Sequence, residues 1–279
     1  MFERLQEVAG MRRIYFAGAL LLFLLAGFRL QVHAAQSEQV QVGLPQVRVA
    51  EPPDSAATAD ALERRGDELR GGKFYLDAVD YYRAALKKDP NNARVFNKMG
   101  IAYLQLHRYE EAQKEFERSI KKDRGYANAY NNLGVIYYHN KKYSKAISLY
   151  AKAINLNHDS ASFYSNMGTA YFAKKEFEEA MAAYGQAMKI DPNVFESTSR
   201  TGVAGYISSP EDRARWDYVL AKLWAKAGDN DRCLEALRRA MEDGYKNIDE
   251  VYKDEEFAGL RKDPRFAELM ASRPPGIPE

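Results

Sequence analysis

Four glycines recur along the middle of this chain at a constant interval of 34 residues, and this interval limits the folds that the chain can adopt. An alanine follows each glycine after twelve residues, and an aromatic residue follows it after sixteen. The glycines are Gly66, Gly100, Gly134 and Gly168; the alanines are Ala78, Ala112, Ala146 and Ala180; the aromatic residues are Tyr82, Phe116, Tyr150 and Tyr184. A fixed period of this length indicates a stack of similar units, because no single unit can bury its apolar face alone.

Each period contains two stretches with the spacing of an amphipathic helix. In the second period, Phe96, Met99 and Tyr103 fall on one face of the first stretch, and Ala112 and Phe116 fall on one face of the second. A glycine inside a helix costs about 1 kcal/mol relative to alanine, so its recurrence indicates that two helices approach closely there. The sequence therefore predicts pairs of packed helices.

These repeated positions resemble those of the tetratricopeptide repeat family, whose 34-residue helix–turn–helix unit alternates small and aromatic residues in this way. The resemblance covers residues 59–194 and implies four units. The units are 59–92, 93–126, 127–160 and 161–194. Pro90 and Pro192 close the first and fourth units, whereas Arg124 and His158 replace the closing proline in the other two. The resemblance implies an all-α fold, a right-handed superhelical solenoid with a C-terminal capping segment.

The sequence beyond residue 194 leaves the phase of the repeats. Residues 195–213 are predicted to form an inserted loop that ends with a helix start, because Ser209 can cap a helix and Pro210 suits its first position. Residues 214–247 are predicted to form a degenerate fifth repeat in which Cys233 replaces the alanine. Residues 248–272 are predicted to form two short amphipathic helices that cap the stack, since an uncapped last repeat exposes its apolar face to water. The capping side chains are Val251, Phe257, Leu260, Phe266 and Leu269. Residues 273–279 are predicted to be a disordered tail.

The N-terminal segment, residues 1–35, has the layout of a secretory signal. Arg12 and Arg13 precede an apolar run over residues 14–28, and a region with small residues follows. We expect cleavage after Ala34. Translation from the second methionine of the chain, at position 11, would give a cleaner signal than translation from the first.

An uncleaved anchor formed by residues 14–35 is the alternative, although the uninterrupted apolar run of 15 residues is shorter than the roughly 20 that a spanning helix needs. Both interpretations place the body of the protein outside the cytoplasm, either periplasmic or secreted. Residues 36–58, which contain two adjacent prolines and have no helical period, are predicted to be a flexible linker.

The charge balance excludes a general attraction to nucleic acid. Residues 1–34 hold four of the 41 basic and two of the 39 acidic residues, so a cleaved chain has 37 of each. A neutral body lacks the basic excess that binds phosphate backbones.

No catalytic or metal-binding pattern emerges from the sequence. A single cysteine, Cys233, excludes an internal disulfide, and His107, His139 and His158 occupy unrelated repeat positions. We therefore predict a protein without cofactor or metal that is not an enzyme. An enzymatic alternative would need chemistry in the inserted loop, where no spacing supports a reaction. The loop candidates are Glu196, Arg200, Tyr206 and Asp212.

In the family, the first helix of each unit lines a concave groove, and residues spaced i, i+4, i+7 share one side of that helix. The resemblance places these residues on an exposed stripe of each first helix, lining the groove: Asn97, Ile101 and Leu104 in the second unit; Asn131, Val135 and Tyr138 in the third; Ser165, Thr169 and Phe172 in the fourth; and Asn132 and Asn166 at the edge. Amides can meet the backbone of an extended peptide, while Tyr138 and Phe172 accept apolar side chains. The alternative is that the asparagines serve local packing and the aromatic residues shield helix contacts.

Charged residues occur on the same face only near the start of the array. Glu63, Asp67 and Arg70 make the first unit charged, as expected of an end unit, and Arg94 and Lys98 form one basic patch in the second. Family members that clamp acidic carboxyl-terminal peptides carry lysine and arginine on these stripes. The groove residues of the third and fourth units are uncharged, which implies that this clamp is absent.

These observations favour an extracytoplasmic interaction module that binds an extended peptide segment of an envelope protein. The alternative is a membrane-anchored structural tether that associates with itself. The expected partner is a protein or peptide, and membrane contact is expected only through an uncleaved N-terminal segment.

Overall fold

The structure, a computed structural model, describes residues 48–195 and 209–273. The predicted signal segment with residues 36–47 of the linker, the loop candidates Glu196, Arg200 and Tyr206, and the tail from residue 274 lie outside the described residues. The predicted all-α class is confirmed for the part of the chain that is described. The helical stack belongs to the unit that runs from Glu51 onward.

Eight helices of nearly equal length follow one another in pairs. They are α1 (Ala59–Gly71), α2 (Tyr75–Lys88), α3 (Ala93–Gln105), α4 (Tyr109–Lys122), α5 (Ala127–His139), α6 (Tyr143–Leu156), α7 (Ala161–Ala173) and α8 (Phe177–Ile190). The first helix of each pair begins 34 residues after the one before it. Each pair forms one repeat, and the second helix of a repeat also packs against the first helix of the next.

In each regular repeat, an aromatic ring of the second helix packs directly on a glycine of the first helix. A Cβ atom added at Gly66, Gly100, Gly134 or Gly168 would stand 2.5–2.6 Å from the ring of the aromatic residue sixteen positions later. The four rings and the four repeating alanines are fully buried. The close helix approach predicted from the recurring glycines is therefore confirmed, because any side chain larger than hydrogen would collide with the ring.

The first helices lie on the inner side of the stack. Helix α3 contacts α5, and α5 contacts α7, whereas consecutive second helices make no contacts of comparable extent within the described residues. The side on which neighbouring helices are closest is the inner side of a curved array. This places the face of α3, α5 and α7 where the repeat family has its groove.

The turn inside each regular repeat contains a left-handed residue that is not glycine. Lys73, His107, Lys141 and Lys175 have φ between 57° and 65°. This conformation is unfavourable for residues with a Cβ atom. Each turn therefore stores a small local strain at the same place in the repeat.

The fifth repeat begins at the helix start that the sequence predicted at the end of the inserted loop. Helix α9 (Pro210–Ala227) begins inside the range predicted as loop, and α10 (Asn230–Glu242) follows it. The predicted cap is present, because Ser209 Oγ accepts a hydrogen bond from the Asp212 backbone N–H at 3.0 Å. Pro210 occupies the first turn, where its missing N–H is not needed.

The capping segment is built differently from the two amphipathic helices that were predicted. Three short 3-10 helices, Ile248–Tyr252, Glu255–Ala258 and Leu260–Lys262, precede α11 (Pro264–Ala271). The five predicted capping side chains are all buried in one cluster with α9 and α10. Val251, Phe257 and Leu260, which lie in the 3-10 helices, are separated by six and three residues, a spacing that matches three residues per turn.

Within residues 48–195 and 209–273, no helix has the length and apolarity needed to cross a membrane.

Candidate functional site

The predicted groove residues separate into a buried set and a half-exposed set. The buried residues are Asn97, Asn131, Ser165, Asn166, Thr169 and Phe172. The half-exposed residues are Ile101, Leu104, Asn132, Val135 and Tyr138. The prediction that the whole stripe is exposed is therefore wrong for the first set, and the second set is called the groove patch below.

Four asparagines bond to one another across repeats, and three of them, Asn97, Asn131 and Asn166, are buried. Asn132 Nδ2 donates to Asn97 Oδ1 at 2.9 Å, and Asn166 Nδ2 donates to Asn131 Oδ1 at 2.9 Å. Asn131 Nδ2 joins the two pairs by donating to Asn132 Oδ1 at 3.1 Å. A buried amide without a partner would be costly, so this amide ladder ties α3, α5 and α7 together. The structure favours the packing interpretation for the three buried asparagines.

The fourth repeat's stripe is covered by its own second helix and by the fifth repeat. Thr169 Oγ1 donates to the Ser165 carbonyl oxygen at 2.9 Å and accepts from Tyr184 Oη at 3.3 Å. Phe172 packs edge-on against Trp216 of α9, with ring centroids 5.8 Å apart. This part of the predicted groove is interior in the described chain, since α9 lies against it.

The groove patch is the exposed remainder of the stripe, on α3 and α5. Its aromatic residue, Tyr138, lies against Tyr143 with ring centroids 5.3 Å apart. Burial raises the pKa of Tyr138 to about 12, and the nearby Tyr143 phenol and Asp212 carboxylate add to this effect. The Tyr138 side chain is therefore neutral over the physiological range. Apart from the Asn132 amide, the patch offers mainly apolar surface.

The face of the first two repeats carries paired charges. Glu63 accepts hydrogen bonds from Arg94 Nε at 2.9 Å and from Lys98 Nζ at 2.7 Å, and Lys98 also pairs with Asp67. Burial alone would raise the pKa of Glu63, but the hydrogen bonds and charges of Lys98 and Arg94 outweigh it and lower this pKa. The predicted basic patch of Arg94 and Lys98 is therefore neutralised by carboxylates of the first repeat. Glu63, Asp67, Arg94 and Lys98 are called the charged face below.

Two histidines that looked unrelated in the sequence come together at the rim of the second and third repeats. His107 Nδ1 lies 3.0 Å from Tyr109 Oη, and the same oxygen lies 2.9 Å from His139 Nε2. Sequence reasoning missed this contact because the two histidines stand at different distances from their repeat glycines. No group of three or more metal-binding side chains of the histidine, cysteine or carboxylate type occurs among the described residues.

Cys233 is packed in the interior of the fifth repeat. Its side chain is fully buried, and burial raises the pKa of the thiol to about 12, with the charge of Asp229 acting in the same direction. A thiol with so high a pKa carries almost no thiolate near neutral pH.

Comparison with known proteins agrees with this architecture. Tetratricopeptide repeat family models match residues 97–161 and 161–194. No significant match was found among curated proteins.

Several solved structures are similar over much of their length. PilF of Pseudomonas aeruginosa is 20% identical with a TM-score of 0.49, and the alignment covers 74% of this chain and 82% of that chain. TTC0263, a thermophilic repeat protein of Thermus thermophilus, is 20% identical with a TM-score of 0.47, and the alignment covers 77% of this chain and 100% of that chain. YrrB, a repeat protein with an unusual peptide-binding site, is 17% identical with a TM-score of 0.45, and the alignment covers 70% of this chain and 91% of that chain.

Tetratricopeptide repeats are protein–protein interaction modules and in general not catalytic. Because the family models match consecutive repeats within residues 97–194 and every regular repeat closes on its glycine in the same way, the regular part of this chain is built from tetratricopeptide repeats.

Proposed function

We propose that this chain is a non-catalytic scaffold that acts outside the cytoplasm and binds an extended peptide segment of an envelope protein. The observation that carries the proposal is the groove patch itself. Its apolar side chains stay half-exposed on adjacent first helices, although the neighbouring positions of the same stripes are buried. Exposed apolar surface that continues from one helix to the next is typical of a binding site.

The patch suits an extended peptide by its chemistry. Ile101, Leu104 and Tyr138 provide apolar surface for alternate side chains. Asn132 uses one N–H and one oxygen lone pair in the amide ladder. A carboxamide has two N–H donors and two lone pairs, so the half-exposed Asn132 retains capacity for a peptide backbone. The buried ladder holds α3, α5 and α7 in place, which lowers the entropic cost of binding.

Photo-crosslinking in intact cells tests the groove. Tyr138 is replaced by p-benzoylphenylalanine, and Lys114, which is exposed on the second helix α4, provides the control position. We expect a discrete protein adduct from position 138 that disappears when Ile101→Glu is added, because a charge in the patch opposes apolar binding. Equal adducts from both positions, or none from either, would contradict the proposal. Adducts only to a second copy of this chain would support the self-associating tether.

The proposed location needs a separate experiment. Its support is the signal-like order of Arg12, Arg13 and the apolar run over residues 14–28. An alkaline phosphatase domain fused to the carboxyl end should be active, because this enzyme needs an oxidising compartment for its disulfides. An inactive but stable fusion would show that the body stays inside. Mass spectrometry of the chain purified from cells then distinguishes cleavage after Ala34 from an anchor retained at residues 14–35.

A further inference from the structure

The third repeat contains a buried tyrosine hydroxyl that differs from its equivalents. In the first repeat, Tyr82 Oη donates to Asp67 Oδ1 at 2.7 Å, and in the fourth, Tyr184 Oη lies 3.3 Å from Thr169 Oγ1. Tyr150 Oη, the equivalent atom in the third repeat, is buried and has no hydrogen-bond partner in the described chain. The second repeat has no hydroxyl at this position, because the residue there is Phe116.

The repeat geometry shows where this hydroxyl points. The rings of Tyr82, Tyr150 and Tyr184 lie on their repeat glycines at the same distance, so the three hydroxyls leave the ring in the same direction. Asp67 and Thr169 each follow a repeat glycine directly, and Val135 holds that place in the third repeat. Tyr150 Oη therefore points at the apolar side chain of Val135, on the underside of the groove patch.

An unpaired buried hydroxyl destabilises a folded protein and normally finds a partner. The other repeats do not contain an unpaired hydroxyl at this position. Asp67 and Thr169 accept hydrogen bonds from Tyr82 and Tyr184, and Phe116 has no hydroxyl. Tyr150 keeps the donor beneath the groove patch without an acceptor. Such a donor would gain a partner if an acceptor from outside reached it through the patch.

We propose that Tyr150 is a ligand-binding residue of the groove and that its hydroxyl donates a hydrogen bond to a main-chain carbonyl oxygen of the bound peptide. The inference rests on the proposed peptide site and names the group that the site recognises. The half-exposed side chains of Val135 and Tyr138 must move aside for the carbonyl to reach Oη. A neutral carbonyl fits better than a carboxylate, because the patch carries no cation and the Asp212 carboxylate acts on Tyr138 from nearby.

The matched variants are Tyr150→Phe and Tyr184→Phe, which remove an unpaired and a paired hydroxyl from equivalent places. Tyr150→Phe should raise the Tm by about 2–4 °C, because it deletes an unsatisfied buried group. It should also weaken peptide binding about tenfold, because the donor is lost. Tyr184→Phe should lower the Tm and leave binding unchanged. Val135→Thr provides a second route, since a threonine there can pair with Tyr150 as Thr169 pairs with Tyr184, so it should also raise the Tm and weaken binding.

The probe is a set of peptides selected from a random-peptide phage library on the full chain, with Kd measured for each variant. Ile101→Glu identifies the peptides that bind in the groove patch. The inference is overturned if those peptides bind Tyr150→Phe as tightly as the unchanged protein, and the proposed peptide site then still stands. If the library yields no peptide that Ile101→Glu affects, the peptide site and the inference fall together. Opposite changes in Tm and affinity for Tyr150→Phe, absent for Tyr184→Phe, support the inference.

Discussion

The charged face and the amide ladder both join the first helices of neighbouring repeats, the former by ion pairs and the latter by hydrogen bonds between amides. In each case a side chain of one first helix bonds to the side chain 35 residues later. The pairs are Glu63 with Lys98 at 2.7 Å, Asn97 with Asn132 at 2.9 Å, and Asn131 with Asn166 at 2.9 Å. The array therefore fixes its first helices by charge at the start and by neutral amides in the middle. Neutral bonds keep the middle of the stripe free of charge, which leaves apolar surface exposed beside them.

The largest expected change in stability comes from the packing of a glycine against an aromatic ring, which the repeats of the charged face and of the amide ladder have in common. Gly66→Ala and Gly134→Ala should each destabilise the fold by about 2 kcal/mol, because the new Cβ would stand within 2.6 Å of Tyr82 or Tyr150. Chemical denaturation followed by circular dichroism measures both. Similar losses would show that the two regions differ only on their faces.

Gly185→Ala on α8 is the matched control for these variants. A Cβ at this position would meet only Leu223, at an ordinary 3.7 Å. The gain in helix propensity should then stabilise the protein by about 1 kcal/mol. A loss at Gly185 as large as that at Gly134 would show that helix context, and not the ring, sets the cost.

The next effect separates the two chemistries directly. Lys98→Met removes a partner of Glu63, and Asn132→Ala removes two bonds of the amide ladder. Each should cost about 1–2 kcal/mol of unfolding free energy. Only the cost of Lys98→Met should shrink when salt is raised to about 1 M, because salt screens charges and not amide hydrogen bonds. Equal salt dependence of the two variants would contradict the comparison.

The sequence predicted the core better than it predicted the face. Core contacts such as that between Gly134 and Tyr150 join equivalent positions in every repeat. They therefore recur every 34 residues and can be recognised in the sequence. The ladder instead joins non-equivalent positions, because Asn97 bonds to Asn132 and not to Asn131. A search for a period of 34 cannot detect contacts spaced by 35. The burial of Phe172 was also hidden, since it depends on Trp216, which follows a change of phase.

A smaller effect concerns the turns, which are alike in both regions. Lys73→Gly and Lys141→Gly should each stabilise the fold by about 0.5–1 kcal/mol, because glycine adopts the left-handed φ of 65° or 57° without strain. Lys142→Gly is the control, since Lys142 has an ordinary φ of −88°. A gain at Lys142 equal to that at Lys141 would contradict the strain argument. Thermal denaturation of the three variants is sufficient.

The smallest effect is a pH dependence that only the charged face should show. The pKa of Glu63 is lower in the folded chain than in the unfolded chain. The ion pairs of Glu63 therefore stabilise the fold fully at pH values above the ordinary carboxyl pKa. This contribution should disappear as the pH falls through the folded pKa. Glu63→Gln should therefore cost stability near pH 7, and this cost should shrink as the pH falls through the folded pKa of Glu63. Denaturation curves over this range measure the difference.

Glu115 provides the opposite sign within the same array. Burial raises its pKa although Arg118 acts against this, so its ionised form is unfavourable in the folded chain. Glu115→Gln should raise the free energy of unfolding near pH 7, and this gain should fade as the pH drops below the ordinary carboxyl pKa and both states become protonated. If Glu63→Gln and Glu115→Gln shifted stability in the same direction at neutral pH, the charged face could not be credited with holding the first two repeats together. Opposite shifts in the free energy of unfolding would show that the Glu63 carboxylate stabilises the fold through its cations, whereas the buried Glu115 carboxylate destabilises it. The two residues lie on neighbouring repeats with the same backbone fold.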